Sequence, residues 1–274
     1  MKRLVFIFAF LIVCSAIQAN ARGIMTMCGA GVSSAVSYQC TDATHDSANN
    51  AVTACEDFDG AATCTASYTD NCRVAWLVGA GTPDYDNTAN KIQGTYSAFL
   101  DITGANGCFI YRAVDSADVY YTYSHIKIVA SPTANRKIVS MQATGSAKHT
   151  LTLNSNGTLN VNAGTNVSTT GTLTQGKTYA IWTGYESASA DPGSDGYAYV
   201  AFAEVTDGTP PAKPALCDPS GTTCSAASTA VLANGTNDSP VNRIYWGFAA
   251  TDTTMQISFD HVRVKTTDFG SNVP

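Results

Sequence analysis

The chain has 274 residues and a formal net charge of −6, from 15 Lys and Arg against 21 Asp and Glu. Only 13% of its residues are charged, and beyond Lys2 and Arg3 the basic residues form no cluster in sequence. Such an acidic balance argues against nucleic acid and anionic membrane surfaces as partners.

In chain order, Met1-Lys2-Arg3 supplies a basic start, Leu4 to Val13 is an apolar run, and Ala19 and Ala21 are the small residues a signal peptidase reads. The run is too short for a bilayer, which takes about twenty apolar residues. A lipid anchor at Cys14 would want Gly or Ala where Val13 stands. Residues 1–21 are therefore read as a signal peptide cleaved before Arg22, which takes the net charge from −6 to −8 as Lys2 and Arg3 leave. The expected location is extracellular or at the cell surface, or periplasmic in a Gram-negative cell, with no later apolar segment able to span a membrane.

Loss of Cys14 leaves eight of the nine cysteines. An even number in an exported chain reads as a disulfide framework. Eight cysteines allow 105 pairings, of which Cys217–Cys224, closing one turn-rich loop, ranks first, with Cys28–Cys40 and Cys55–Cys64 as further local closures that would leave Cys72–Cys108. Cysteine pairs two to four residues apart and paired histidines, which a zinc site needs, are missing.

Residues 22–51 are small and polar and read as an N-terminal extension, with a single domain over 52–274. That domain opens on Ala54 to Gly60, "ACEDFDG", where Glu56, Asp57 and Asp59 surround Phe58. Asp57 and Asp59 alternate with Phe58, as in a half-buried strand. Its counterpart is "ISFDHV", Ile257 to Val262, and the two are expected to lie in neighbouring strands that close the domain. Between them, "DVYYTYSHIKIVA" ends at Pro132, and "RKIVSMQAT" follows it. "HTLTLNSNGTLNVNAG" alternates on both sides of Asn156-Gly157, a hairpin signal. "KTYAIWTGYES", "DGYAYVAFAEV", "NRIYWGFAAT" and "MQISFDHVRVKT" read as further strands, and 207–242 as the longest irregular stretch. Helical periodicity is lacking beyond the signal segment, so the expected fold is all-β: a two-sheet antiparallel jelly-roll sandwich, stapled by disulfides.

"CEDFDG", "KIQGTYSAFLDI", "LTLNSNGTLNVNAG", "TLTQGKTYAIWTGYE" and "MQISFDHVRVK", in this order, resemble the concanavalin A-like lectin and glucanase (laminin-G-like) superfamily over about residues 52–266. The resemblance implies two packed antiparallel sheets and a role among lectins, carbohydrate-binding modules, glycan hydrolases, lyases and adhesion modules. Glucanases of the superfamily carry Glu-x-Asp-x-Glu on one strand, because retaining hydrolysis needs two carboxyls about 5 Å apart. This chain lacks that triplet, so no catalytic residue is assigned.

Tyr121, Tyr123, His125 and Lys127 alternate onto one side of a strand. They are the expected contacts for a glycan or cell-surface polysaccharide, provided that the 207–242 stretch does not fill the face. No cofactor is required. Calcium is the one metal the loops invite, through Asp84 and Asp86 in "TPDYDN" and Asp191 and Asp195 in "ADPGSDG", although the same residue types form ordinary turns. The leading expectation is a secreted, non-catalytic glycan-binding or adhesion module. The alternatives are a self-associating subunit of an extracellular layer, filament or appendage, and a polysaccharide-degrading enzyme, either a lyase in which Tyr and His exchange protons with substrate or a glycoside hydrolase.

Overall fold

Alternating apolar and polar side chains broken by turn residues form strands when one face is buried. The computed structural model describes residues 54–56, 77–80, 84, 88–93, 97–101, 107–143, 145–189, 195–206, 211–216, 229–235, 237–248 and 254–269. These hold β1 (Ala54–Glu56), β2 (Leu77–Ala80), β3 (Ala98–Asp101), β4 (Cys108–Ala117), β5 (Val119–Ala130), β6 (Arg136–Ala143) and β7 (Ser146–Leu153). They continue with β8 (Thr158–Asn162), β9 (Asn166–Thr172), β10 (Thr178–Glu186), β11 (Gly196–Glu204), β12 (Ala230–Gly235), β13 (Val241–Phe248) and β14 (Gln256–Lys265).

Every pairing is antiparallel. The first sheet runs β1-β14-β5-β10-β11-β12, with β3 on the same edge of β14 as β1, and the second runs β2-β4-β13-β6-β7-β8-β9. No helix occurs among the described residues. The fold is an all-β, two-sheet jelly-roll sandwich. Its core lies between the sheets, where Ile126, Ile181 and Phe259 of the first meet Ile110, Met141 and Trp246 of the second. Each is at most 1% exposed, and each such side chain contributes about 1.5–3 kcal/mol on burial.

Several sequence expectations are met. The opening and closing strands are neighbours, with Cys55 opposite Arg263. Asn156-Gly157 turns the β7–β8 hairpin, where Gly157 at φ 86° donates its N–H to the Asn154 carbonyl at 2.9 Å. That left-handed glycine after a short turn is the geometry of a three-residue hairpin loop.

One reading needs correction. The stretch 207–242 contains β12, which pairs with β11 from Gly196↔Gly235 to Ala201↔Ala230. Ala-rich sequence has weak β-propensity on its own, and it is the partner strand that makes it a strand. Of the cysteines in the expected pairings, Cys28, Cys40, Cys64, Cys72, Cys217 and Cys224 lie outside the described residues. Of the other two, Cys55 lies in β1 and Cys108 is buried at the start of β4.

One polar contact crosses the sandwich interior. His149 of β7 reaches across the core to Thr183 of β10, Nε2 to Oγ1 at 2.7 Å, and Thr183 in turn donates to the Tyr199 carbonyl at 2.6 Å. Burial pushes the His149 pKa down to about 4, slightly opposed by a backbone hydrogen bond at Asn162.

At the edge, β14 carries a bulge between Asp260 and Arg263, which face His125 and Tyr123. His261 in the bulge has φ 49°, a left-handed conformation that costs a non-glycine residue about 1–2 kcal/mol. The Asp260 carboxylate, fully buried, offsets that cost. Oδ1 accepts from the His261 N–H at 2.8 Å, while Oδ2 accepts from Ser97 Oγ at 2.9 Å and the Gln93 N–H at 3.3 Å.

Two outcomes are expected. Asp260→Ala strands three donors and should cost about 3 kcal/mol, read as a fall in Tm of roughly 10 °C, with Asp260→Asn losing less. His149 is held below its ordinary pKa of about 6.5, so the stability it confers is complete above that pH and declines as pH falls toward 4. The decline is about 1.4 kcal/mol per pH unit. Urea midpoints at pH 7 and 4.5 should therefore converge in His149→Gln relative to the native chain.

Candidate functional site

Strand β5 alternates as its sequence indicates. Tyr120, Ile126 and Ile128 enter the core between the sheets, while Tyr121 and Tyr123 join a second apolar cluster on the outer face of the first sheet. There Tyr123 lies 5.3 Å from Trp182. Gly184 sits between Tyr121 and Tyr199 in the register, and a Cβ on it would meet both rings within 2.6 Å. The missing side chain therefore lets the two tyrosines close over β10.

This outer face is covered. Tyr121, Tyr123 and His125 are 6%, 2% and 1% exposed, whereas Lys127 is half-buried. Phe269 packs 6.0 Å from Tyr123. Lys213, from the described 211–216 part of the long connection, sits 4.7 Å above the Tyr199 ring and forms an ion pair with Asp268 at 2.6 Å. Asp268 also accepts from Tyr199 Oη at 2.7 Å. Burial first, and then the Asp268 charge, raise the Tyr199 pKa far above its ordinary value. A sugar ring reaches these tyrosines only if that cover is displaced.

Beneath the cover, Tyr123 Oη and His125 Nε2 share a hydrogen bond of 2.6 Å, and the His125 and His261 rings meet edge to face at 4.8 Å. His261 Nε2 donates to Gln93 Oε1 at 3.0 Å. Burial, reinforced by the Arg263 charge, takes the His125 pKa down to about 3, so the ring is neutral across the physiological range. A Tyr–His pair with Gln and Arg close by has the groups of a proton-transfer site. Sequence reading found Tyr123 and His125 but not their partners, because Gln93, Asp260, His261 and Arg263 arrive from distant segments.

The second sheet presents its outer face differently. Across six strands the register places Tyr111, Tyr245, Ser140, Thr150, Asn162 and Asn166 side by side in one row. At 4.7–4.9 Å per strand, that row spans about 24 Å. Tyr111 stacks on Tyr245 from the β4 side with ring centres 5.0 Å apart, and Phe109 lies 5.5 Å from Tyr245. On the β6 side a cleft of about 380 Å³ opens, lined by Tyr245, Phe109, Ser140, Gln142, Lys137, Gly145 and Gly247. Gly247, at φ 92°, would drive a Cβ within 2.5 Å of the Cys108 carbonyl, so only glycine fits this part of the floor. Phe109, Tyr111 and Tyr245 are half-buried, and Lys137 and Arg243 are exposed. Sequence reading found the strand of Arg243 and Tyr245 but not that of Phe109 and Tyr111, whose period-two alternation is the signal that could have found it, and their assembly into one row was not legible.

The two described calcium candidates, Asp84 and Asp195, lie apart. Asp84 forms a β-bridge with Phe99 beside β3. Asp195 precedes β11, on the far side of β14, β5 and β10, and accepts from the Ser189 N–H at 2.9 Å. Asp86 and Asp191 lie outside the described residues, and among the described residues no three His, Cys, Asp or Glu side chains are grouped to hold a metal.

No family model and no curated protein matches the chain. Among solved structures it is similar to a sialidase, with 12% identity and a TM-score of 0.46, covering 71% of this chain and 17% of that one. It is also similar to an endo-beta-1,4-glucuronan lyase from the fungus Trichoderma reesei, with 14% identity, a TM-score of 0.42 and coverage of 70% and 87%. An alginate lyase from Aplysia kurodai shares 9% identity at a TM-score of 0.42, with coverage of 65% and 85%. The chain thus spans less than a fifth of the sialidase.

Proposed function

We propose that this chain is an exported, non-catalytic glycan-binding module of concanavalin A-like kind, with its sugar site on the outer face of the second sheet. One observation carries the reading: the in-register row from Tyr111 and Tyr245 through Ser140 and Thr150 to Asn162 and Asn166. Sugars offer apolar C–H faces to aromatic rings and hydroxyls to polar side chains. Tyr245, backed by Tyr111, turns toward an open cleft whose floor is kept low by Ser140, Gly145 and Gly247. Further along the row, Asn162 Nδ2 donates to Asn166 Oδ1 at 2.7 Å, and beside it Asn160 Nδ2 donates to Ser168 Oγ at 3.0 Å. These bonds orient the amides and leave further donors and acceptors for hydroxyls. A site this long suits an internal stretch of polysaccharide, such as a cell-surface polymer, better than a single terminal sugar.

The contacts expected from sequence, Tyr121, Tyr123 and His125, support this role less well because Phe269 and Lys213 lie over that face. On a glycan array, Tyr245→Ala should weaken binding at least about tenfold, equivalent to about 1.4 kcal/mol, while Tyr123→Phe binds as the native chain does. The reverse pattern would overturn the placement.

A second reading has one observation in its favour, the 2.6 Å Tyr123–His125 hydrogen bond with Arg263 beside it. In that reading the cover opens and the pair carries out β-elimination on a uronate polymer. The expected result under the main proposal is no rise in ultraviolet absorbance when the pure protein meets polyuronates. A rise that Tyr123→Phe abolishes would establish the lyase instead.

A further inference from the structure

The two cations that flank the Tyr245 platform carry the argument further. Lys137 lines the cleft at the Gly247 end. Arg243 lies two residues from Tyr245 on the same face of β13, opposite Gln142, with its guanidinium 5.9 Å from the Tyr111 ring. The register therefore sets one cation on each side of the ring, because Ser140 faces Tyr245, Gln142 faces Arg243, and residue 137 lies in the opposite direction along β6. Both side chains are exposed. Among the described residues neither forms an ion pair, in contrast to Lys177 with Glu204 and Lys213 with Asp268. Asp115 shares the outer face of β4 beyond Ala113 but makes no ion pair with Arg243. In a chain whose net charge is −6, two cations beside an aromatic cleft, without an ion pair among the described residues, are a local reversal of sign.

We propose that the glycan held on the second sheet is anionic, with its acidic groups received by Lys137 and Arg243 on either side of a sugar stacked on Tyr245. The proposal rests on the glycan-binding reading above. An exposed lysine and arginine with no ion-pair partner among the described residues lose little by accepting a carboxylate or sulfate. The guanidinium takes either in a two-pronged hydrogen bond, and the ammonium acts as a point charge. Polymers with an acidic group on each residue bring such groups to both ends of the platform at once, so the two contacts reinforce each other.

The test uses the full mature protein and three polymers: polygalacturonate for carboxylates, dextran sulfate for sulfates, and dextran as the neutral backbone. In low salt, about 50 mM, at least one acidic polymer should bind about tenfold or more tighter than dextran. The advantage should shrink in about 0.5 M salt, where the screening length falls to a few ångströms. Paired Lys137→Gln and Arg243→Gln substitutions should remove the preference, whereas Tyr245→Ala weakens whatever binds. Tighter binding of polygalacturonate than of dextran sulfate identifies the acid as a carboxylate, and the reverse as a sulfate; either supports the proposal. Loss of binding in Tyr245→Ala, with the preference unchanged in the paired variant, overturns the anionic assignment and leaves the glycan site standing. Binding to dextran alone overturns it as well, and silence of Tyr245→Ala on every glycan the native chain binds removes the site itself.

Discussion

The buried carboxylate of Asp260 is the constraint on which the edge of the sandwich depends. It sits where β14 bulges, and the bulge divides the outer edge of that strand between two short partners, β3 before it and β1 after it. A buried charge is costly unless its lone pairs are occupied. Here the Ser97 hydroxyl, the Gln93 N–H and the His261 N–H occupy them. The same contacts tie the segment before β3 to the last strand, turn His261 toward His125, and bring Gln93 within reach of His261. One side chain thus links chain closure, backbone conformation and the polar cluster on the outer face.

The two outer faces of the sandwich have opposite fates. On the first sheet, Tyr121, Tyr123, Trp182 and Tyr199 form an apolar patch too large to leave in water. Phe269 and Lys213 cover it, with the Lys213–Asp268 ion pair above. On the second sheet the aromatic rings are fewer and their neighbours are Ser, Thr, Asn and Gln, so the face is stable in contact with water. It keeps an open cleft beside Tyr245. The open face is therefore the one suited to a ligand that arrives from solution, and the covered face reads as a second, smaller core. The tilted and stacked rings of the open face sit on adjacent strands, where cross-strand pairing fixes their spacing without help from a loop.

Much of the fold was legible before the structure. Period-two alternation in β5, β10, β11, β13 and β14, together with the turn at Asn156-Gly157, is local information, because a strand with one buried face must alternate and a tight hairpin needs a residue at positive φ. That the start of "ACEDFDG" neighbours the last strand was also legible, and it holds for Ala54–Glu56, while residues 57–60 lie outside the described residues. The β12 strand was not. Its Ala-rich sequence has little tendency to extend alone, and only the exposed edge of β11 makes it do so.

The sequence by itself determined an all-β chain, the strands that carry its aromatic residues, and which residues of β5 share a side. The tertiary structure alone decided which of those sides faces water. Tyr121, Tyr123 and His125 alternate correctly, yet Phe269 packs on Tyr123 and His261 on His125, both from far away along the chain. The row from Tyr111 to Asn166 needs six strands in register, and register is a property of pairing between distant segments that no single stretch of sequence contains.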